Sequence, residues 1–132
     1  MTNPAFSLDG KVALVTGGTR GIGLAAARAL ALCGASVMIS SRKAENCAAA
    51  EADLRAQGAD VAAVAGHAAR EDDVARMVSA TLARFGGLDV LVANAGINPS
   101  FDGLTALPEE SWPRILDTNL GGPLRLARHG LK

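Results

Sequence analysis

Short apolar segments alternate along the chain with longer segments that are rich in alanine and charged residues. A strand covered on both faces carries consecutive apolar side chains, whereas an apolar position every third or fourth residue indicates a helix. Strands are therefore predicted at Val12–Thr16, Ser36–Ser41, Val61–Gly66 and Leu88–Ala93. Helices are predicted at Arg20–Cys33, Ala44–Gln57 and Glu71–Phe85. Because strands alternate with helices, the pattern indicates an α/β fold with a parallel sheet and right-handed crossovers.

Glycine and acidic residues mark the ends of these predicted helices. Gly34, Gly58 and Gly86 each follow a helical segment, where glycine adopts the left-handed conformation that ends a helix. An acidic run begins at Glu71, where the start of a helix favours negative charge. No linker or change of composition divides the sequence, so residues 1–132 are expected to form one domain.

The sequence loses this regularity after the fourth predicted strand. Pro108 predicts the start of a helix, because proline is favoured at the first helical position. Pro113 would then remove a backbone hydrogen bond, so the helix either begins later, near Trp112, or is kinked. Helical structure is expected over residues 114–120 and 124–129, with a weak point at the Gly-Gly-Pro between them.

The composition narrows the possible classes of protein. The chain is 49% hydrophobic and 20% charged, with a formal net charge of zero and no basic run. This indicates a globular protein and gives no support to nucleic-acid binding. No apolar stretch is long enough for a membrane span, and Met1–Gly10 has no apolar signal core. Cys33 and Cys47 are interpreted as reduced thiols of a cytoplasmic protein, and no metal site is expected.

A glycine-rich segment, T-G-G-T-R-G-I-G at residues 16–23, joins the first strand to the first helix. A strand, a glycine turn and a helix in this order form a dinucleotide-binding unit. Gly17 suits a tight turn, Gly21 lets a pyrophosphate approach the backbone, and Gly23 lets the helix pack close to the strand. The free N–H groups at the start of the helix then hold the phosphates. The alternative is a turn with no ligand.

Four segments, in order, resemble those of the classical short-chain dehydrogenases/reductases. The first is S-L-D-G-K before the first strand, and the second is the glycine turn, which fits T-G-x-x-x-G-x-G. The third, at residues 88–96, fits L-D-x-L-V-x-N-A-G, with Ala93 where the family has a first asparagine. The fourth is D-T-N-L at residues 117–120. Together they cover the whole chain.

The resemblance implies a Rossmann-like doubly wound parallel sheet, truncated after about four strands in the spatial order 3-2-1-4. It places cofactor-binding residues at the glycine turn and at the ends of the following strands. These residues are Thr16, Gly17, Thr19, Arg20, Gly21, Ile22, Gly23, Ser41, Arg42, His67, Asn94, Ala95 and Gly96. Asn119 matches the family's active-site asparagine, which holds a water of the proton relay. Its alternative role is to satisfy backbone groups in a kinked helix.

The end of the second strand bears on the choice of cofactor. In cofactors with a plain ribose, an acid at this position accepts hydrogen bonds from the sugar hydroxyls. By resemblance the position is Ser41, and the neighbouring Arg42 and Arg20 offer guanidinium groups for a 2′-phosphate. NADP(H) is therefore expected over NAD(H), unless both arginines are solvated surface charges. His67 stands where the family often places an aspartate against adenine, or is an ordinary strand-end histidine; His129 is expected at the surface.

The chain lacks residues on which the family's chemistry depends. It contains no tyrosine, its last serine is Ser111, and only Lys132 follows Lys43 among the lysines. The family's serine and its Y-x-x-x-K pair, which supply general acid–base catalysis, are therefore missing. The chain is interpreted as the N-terminal half of an oxidoreductase that acts on a carbonyl or alcohol substrate, and is expected to be inactive alone. A non-catalytic NADP(H)-binding module and a truncated product without a stable fold are the alternatives.

The fourth strand is expected to lie at an edge of the sheet. Its unpaired backbone groups, beside apolar Leu88, Val90 and Val92, predict association into homo-oligomers or aggregates. The loop at residues 97–111 is expected to border the substrate, although its residues do not identify one. The aromatic residues expected to serve in packing are Phe85, Phe101 and Trp112.

Overall fold

The computed structural model describes residues 6–99 and 102–131. Its sheet contains four parallel strands, β1 (Val12–Thr16), β2 (Ser36–Ser41), β3 (Val61–Ala65) and β4 (Val90–Val92). Their spatial order is β3-β2-β1-β4, which confirms the predicted order. Strand β4 pairs with β1 in a register that places Ala13 opposite Val90, and it forms the outer edge of the sheet.

Three helices follow the first three strands as predicted, with bounds that differ by one residue at most. They are α1 (Gly21–Leu32), α2 (Ala44–Ala56) and α3 (Glu71–Phe85). The glycines that follow them have positive φ, at +99° for Gly34, +86° for Gly58 and +79° for Gly86. The predicted stop signals are therefore confirmed, because only glycine adopts this conformation without steric cost.

Strand side chains alternate between two apolar clusters, one on each face of the sheet. Ala13 and Val15 face helices α1 and α2, where Leu54 is buried against them. Leu14 points to the other face, where it packs with Met77 of α3. Both faces of the sheet are covered by helices, so the strands consist of consecutive apolar residues. This arrangement is the predicted doubly wound α/β fold.

The last part of the described chain contains helices α4 (Ser111–Leu116) and α5 (Gly122–Gly130). The helix start predicted at Pro108 is wrong, and the alternative of a later start is confirmed. Pro113 is the third residue of α4, within the first turn, where a backbone N–H has no partner inside the helix. Proline is therefore tolerated there without a kink.

A π-helical turn, Asp117–Gly121, connects α4 to α5. It precedes the predicted weak point and shares only Gly121 with it, since Gly122 and Pro123 begin α5. Pro123 has no N–H to donate to the carbonyl of Asn119, four residues earlier. The helix therefore widens at this point but does not break, and α5 continues to Gly130. Widened turns of this kind are often found at functional sites.

One packing prediction is wrong, and one is confirmed. Trp112 has 51% of its surface exposed, so it does not serve in packing as expected. His129, which was expected at the surface, has a side chain that is 22% exposed and is hydrogen-bonded to Glu71. Phe85 packs against the apolar cluster around Leu14, as predicted. Phe101 lies outside the described residues. None of the described helices is both long and apolar enough to cross a membrane.

Candidate functional site

A cleft of about 530 Å³ lies over the carboxyl ends of the four strands. In open α/β sheets, ligands bind in this position, where the chain connections diverge to opposite faces. Every residue predicted to bind the cofactor lines the cleft, although these residues come from distant parts of the sequence. They are Thr16, Gly17, Thr19, Arg20, Gly21, Ile22, Gly23, Ser41, Arg42, His67, Asn94, Ala95 and Gly96.

The glycine turn after β1 forms the floor of the cleft. Gly17 and Gly21 have φ values of +64° and +53°, which residues with a side chain rarely adopt. A Cβ on Gly23 would overlap the carbonyl oxygen of Gly17, so only glycine lets α1 approach the turn this closely. A Cβ on Gly21 would instead point into open space with no atom within 4 Å. The space beside Gly21 is therefore free for a ligand.

The N-terminus of α1 provides free donors directly beside this turn. No side chain caps the helix at Arg20, and its first turn contains no acidic residue. Helix α3, by contrast, has three acidic residues in its first turn. The N–H groups that begin α1 thus face the cleft with the positive end of the helix dipole behind them. This combination favours a phosphate group.

Asn94 ties the end of β4 to the glycine turn. Its Nδ2 donates to the carbonyl oxygens of Thr16 (3.0 Å) and Gly17 (3.2 Å). The Thr16 hydroxyl in turn accepts a hydrogen bond from the backbone N–H of Ala95 at 3.1 Å. These contacts span almost eighty residues of sequence and keep the two sides of the cleft in fixed relation. Ala93 in place of the family's asparagine leaves them intact.

The end of β2 and the glycine turn both contribute positive charge to the rim of the cleft. Arg20, Arg42 and the following Lys43 are exposed and line the cleft. None of the three has an acidic partner within 4.0 Å in the part of the chain that the structure describes. Ser41 is half-buried, and its hydroxyl lies 3.5 Å from the Sγ of Cys47. The rim of the cleft therefore carries positive charge, and the adjacent Ser41 is small and uncharged.

Lys43 and Asn46 were not predicted as site residues, yet both line the cleft. Lys43 directly precedes α2, and Asn46 is in its first turn. Their position in the sequence could have indicated this, because they follow the end of β2 closely and the first turn of a helix after a strand lies beside the strand end. Thr118, in the π-helical turn, also lines the cleft and had no signal in the sequence pattern.

His67, just after β3, is held in place by the start of α3. Its backbone N–H donates to Asp73 Oδ2 at 2.8 Å, and its Nδ1 accepts a hydrogen bond from the N–H of Ala69 at 3.1 Å. The hydrogen bond from His67, followed by the contact with Arg76, lowers the pKa of Asp73 below its usual 3.8. The carboxylate therefore stays ionised and keeps the His67 loop anchored.

Asn119 does not line the cleft but supports the loop that does. Its Oδ1 accepts from the Ile97 N–H at 2.8 Å, and its Nδ2 donates to the Ile97 carbonyl at 2.9 Å. A Cβ on Gly96 would lie 3.2 Å from the same Oδ1. Asn119 thus satisfies backbone groups, as in one of its two predicted roles, although the backbone belongs to the loop after β4 rather than to its own helix.

An ionic cluster joins α5 to the start of α3. His129 Nε2 lies 2.6 Å from Glu71 Oε1, and Arg125 lies 3.5 Å from Glu71 Oε2. Arg125 also pairs with Asp117 of the π-helical turn. The hydrogen bond from His129 lowers the pKa of Glu71 below its usual 4.5. This cluster attaches the C-terminal helices to the rest of the molecule. In residues 6–99 and 102–131, no group of three His, Cys, Asp or Glu side chains is placed to hold a metal ion.

These features fit a dinucleotide. The open space beside Gly21 and the uncapped start of α1 suit a pyrophosphate, and the cleft extends from there to the ends of β2 and β3. The sequence model of the short chain dehydrogenase family matches residues 11–132. Among curated proteins, the chain is 45% identical over 113 residues to "Dehydrogenase/reductase SDR family member 4" of Bos taurus, covering 86% of this chain and 40% of that protein.

Solved structures show the same similarity. A metagenomic short-chain oxidoreductase in complex with NADP superimposes with a TM-score of 0.84 and 37% identity, covering 94% of this chain and 56% of that one. The NADP active-site complex of RhlG from Pseudomonas aeruginosa gives a TM-score of 0.89 and 35% identity, covering 98% and 50%. The chain thus spans about half the length of these proteins.

Proposed function

Because this chain belongs to the short-chain dehydrogenase family, we propose that its cleft binds NADP(H) as the cofactor-binding part of an oxidoreductase. The observation that carries the proposal is the uncapped N-terminus of α1, which faces a cleft beside a glycine whose Cβ would meet no atom. When bound, the nicotinamide would exchange a hydride with a carbonyl or alcohol carbon of a small substrate.

The residues of this chain would bind and orient the cofactor. The first N–H groups of α1 would hold the pyrophosphate, and the contacts from Asn94 would keep the glycine turn in shape for it. The ends of β2 and β3 would take the adenosine half, with His67 against the base. The loop after β4, supported by Asn119, would border the nicotinamide half and the substrate.

The preference for NADP(H) over NAD(H) rests on the cationic rim. A 2′-phosphate would meet Arg20, Arg42 and Lys43, none of which is neutralised by an acidic partner within the described residues. An acidic residue at position 41 would repel that phosphate, whereas Ser41 carries no charge. Isothermal titration of the chain with NADPH and NADH tests this proposal. We expect NADPH to bind more tightly, and equal affinities would contradict it.

Catalysis is a separate matter, because a positioned proton donor is needed beside the reacting oxygen. The chain contains no tyrosine, and neither His129 nor Asn119 lines the cleft. We therefore expect these 132 residues alone to bind cofactor without reducing aldehydes, ketones or quinones. The assay follows nicotinamide absorbance, first alone and then with a separately made C-terminal half of a relative. Turnover by the chain alone would contradict the expectation.

A second proposal concerns association. Strand β4 is paired only on its β1 side within the described sheet, and the apolar Leu104, Leu120 and Leu124 are more than half exposed. Unpaired strand edges and exposed apolar side chains favour contacts between copies. We expect a homo-oligomer or a concentration-dependent aggregate. Separately, we propose that the protein is cytoplasmic and that both of its cysteines are reduced. A monomer at all concentrations in analytical ultracentrifugation would contradict the association.

A further inference from the structure

The feature of interest is the imidazole of His67, which lines the cleft at the end of β3. Its backbone is fixed by the 2.8 Å hydrogen bond to Asp73. Its ring is fixed as well, because Nδ1 accepts a hydrogen bond from the Ala69 N–H at 3.1 Å. A nitrogen that accepts a hydrogen bond carries no proton, so in the neutral ring the proton is on Nε2. The backbone of Ala69 therefore selects the tautomer.

The Nε2–H group of this tautomer is not buried, and it belongs to a residue that lines the cleft. No atom of residues 6–99 or 102–131 forms a hydrogen bond with Nε2 of His67. Among the described residues, Arg28 Nε is the one buried side-chain polar atom without a hydrogen-bond partner. His67 Nε2, which also has no partner, is therefore not buried. A half-buried ring with an accessible N–H in a cleft wall is a fixed hydrogen-bond donor.

The strand order indicates where the base of a bound dinucleotide would lie relative to this donor. The pyrophosphate sits at the helix that follows β1, and the adenosine ribose sits at the end of the neighbouring strand, here β2. In the order β3-β2-β1-β4, a base that continued in the same direction would reach the end of β3 and His67. The ribose-nicotinamide half would extend the opposite way, towards β4.

We propose that His67 presents a fixed N–H donor to the six-position edge of the purine base, so that this site accepts a 6-oxopurine as readily as adenine. The proposal rests on the proposed function, because it requires a dinucleotide in the cleft. A carboxylate at the same position would be an acceptor and would select the 6-amino group of adenine. The Nε2–H donor instead pairs with ring nitrogens of adenine or with the 6-oxo group of hypoxanthine.

The chain offers an isosteric pair of variants for the test. In His67→Asn, the amide oxygen can accept the Ala69 N–H while the amide nitrogen donates to the base, which retains the polarity of histidine. In His67→Asp, one oxygen can accept the same N–H, but only an acceptor faces the base. The two variants therefore differ in polarity and hardly in shape.

The probes are adenosine 2′,5′-bisphosphate and inosine 2′,5′-bisphosphate, which need no nicotinamide contacts. We expect the parent chain and His67→Asn to bind the two compounds with affinities that agree within about threefold. We expect His67→Asp to bind the inosine compound about tenfold more weakly than the adenosine compound, which is the effect of one hydrogen bond. A parent chain that rejects inosine tenfold or more would overturn this inference and leave the proposed function intact. Binding of neither compound would overturn both.

Nitrogen-15 NMR of the imidazole tests the tautomer directly. His129 is the other histidine of the chain, so His129→Gln leaves one imidazole to observe. We expect protonated Nε2 and unprotonated Nδ1 at a pH where the ring is neutral, before and after addition of the adenosine compound. A proton on Nδ1 in either state would overturn the proposal, even if His67→Asp does not fold.

Discussion

Residues 12–92 and residues 104–131 both contain regular elements, but they bury their side chains very differently. In the first region, Leu14, Ile39, Leu54 and Met77 are almost completely buried between sheet and helices. In the second region, Leu126 is the one large apolar side chain buried to this degree among the described residues. Leu104, Leu120 and Leu131 of the second region are 84%, 69% and 80% exposed.

The two regions also differ in what they contribute to the cleft. The packed region contains the glycine turn, the cationic rim and His67, which are the groups that suit the adenosine half of a dinucleotide. The exposed region supports the cleft through a few polar contacts, namely Asn119 with Ile97 and the cluster around Glu71. Cofactor binding should therefore depend on the first region far more than on the second.

The largest expected effect is on stability. Leu14→Ala removes a fully buried side chain between β1 and α3 and should lower the free energy of unfolding by about 2–5 kcal/mol. The matched change Leu120→Ala, at a leucine that is 69% exposed, should alter it by less than about 0.5 kcal/mol. Urea denaturation at equal protein concentration measures both. Similar losses for the two leucines would abolish the distinction between the regions.

The second effect concerns the cationic rim. Arg42→Ala should weaken NADPH binding by about 1.5–3 kcal/mol and leave NADH binding nearly unchanged, because only NADPH has a 2′-phosphate for the guanidinium group. Arg114→Ala, at an exposed arginine that does not line the cleft, is the control and should change neither affinity. Calorimetric titration gives all the values. Equal losses of NADPH and NADH affinity would show that Arg42 does not contact the 2′-phosphate.

Two asparagines allow a direct comparison of the regions. Asn94→Ala removes both hydrogen bonds to the glycine turn and should cost about 1–3 kcal/mol of stability, with weaker NADPH binding. Asn119→Ala removes both hydrogen bonds from the exposed Asn119 side chain to the Ile97 backbone and should change NADPH affinity by less than about twofold. Thermal unfolding and titration measure these effects. A larger binding loss for Asn119→Ala would place the nicotinamide loop in control of affinity.

The smallest effect is a dependence of stability on pH. The pKa of Glu71 is lowered in the folded protein, so its contribution is present above the usual 4.5 and is lost as the pH falls through the lowered value. Glu71→Gln should therefore flatten the fall of melting temperature in acid. Glu45→Gln, which changes the first-turn glutamate of α2, is the control because Glu45 is in none of the ion pairs of the described chain. Parallel curves for the parent and Glu71→Gln would refute the prediction.

The packed region was predictable because its pattern is local. Apolar runs set β1 and β2, and glycine at positive φ ends each of the following helices. The other residues of the cleft were named from the resemblance to the short-chain dehydrogenases/reductases, and they come together because the ends of parallel strands meet at one edge of the sheet. The bounds of these three helices agree with the predicted ones to within one residue.

The exposed region was less predictable because its structure depends on contacts distant in sequence. Trp112 was expected to pack, but no described element covers it. The ion pair of His129 was not predicted, because its partner Glu71 lies fifty-eight residues earlier. Neither the ion pair nor the place of Thr118 in the cleft has a signal in the local pattern of apolar and polar residues.

The π-helical turn at Asp117–Gly121 also sets the angular phase of α5. Each residue of an α-helix advances by about 100° around the axis, so one additional residue in a turn rotates everything that follows. In the observed phase, Leu126 points into the core while Leu124 points outward. Deletion of one residue from the turn would rotate α5 by about a quarter of a circle and carry both Leu126 and His129 away from their partners. The widened turn thus sets the rotation of α5 at which Leu126 reaches the core and His129 reaches Glu71.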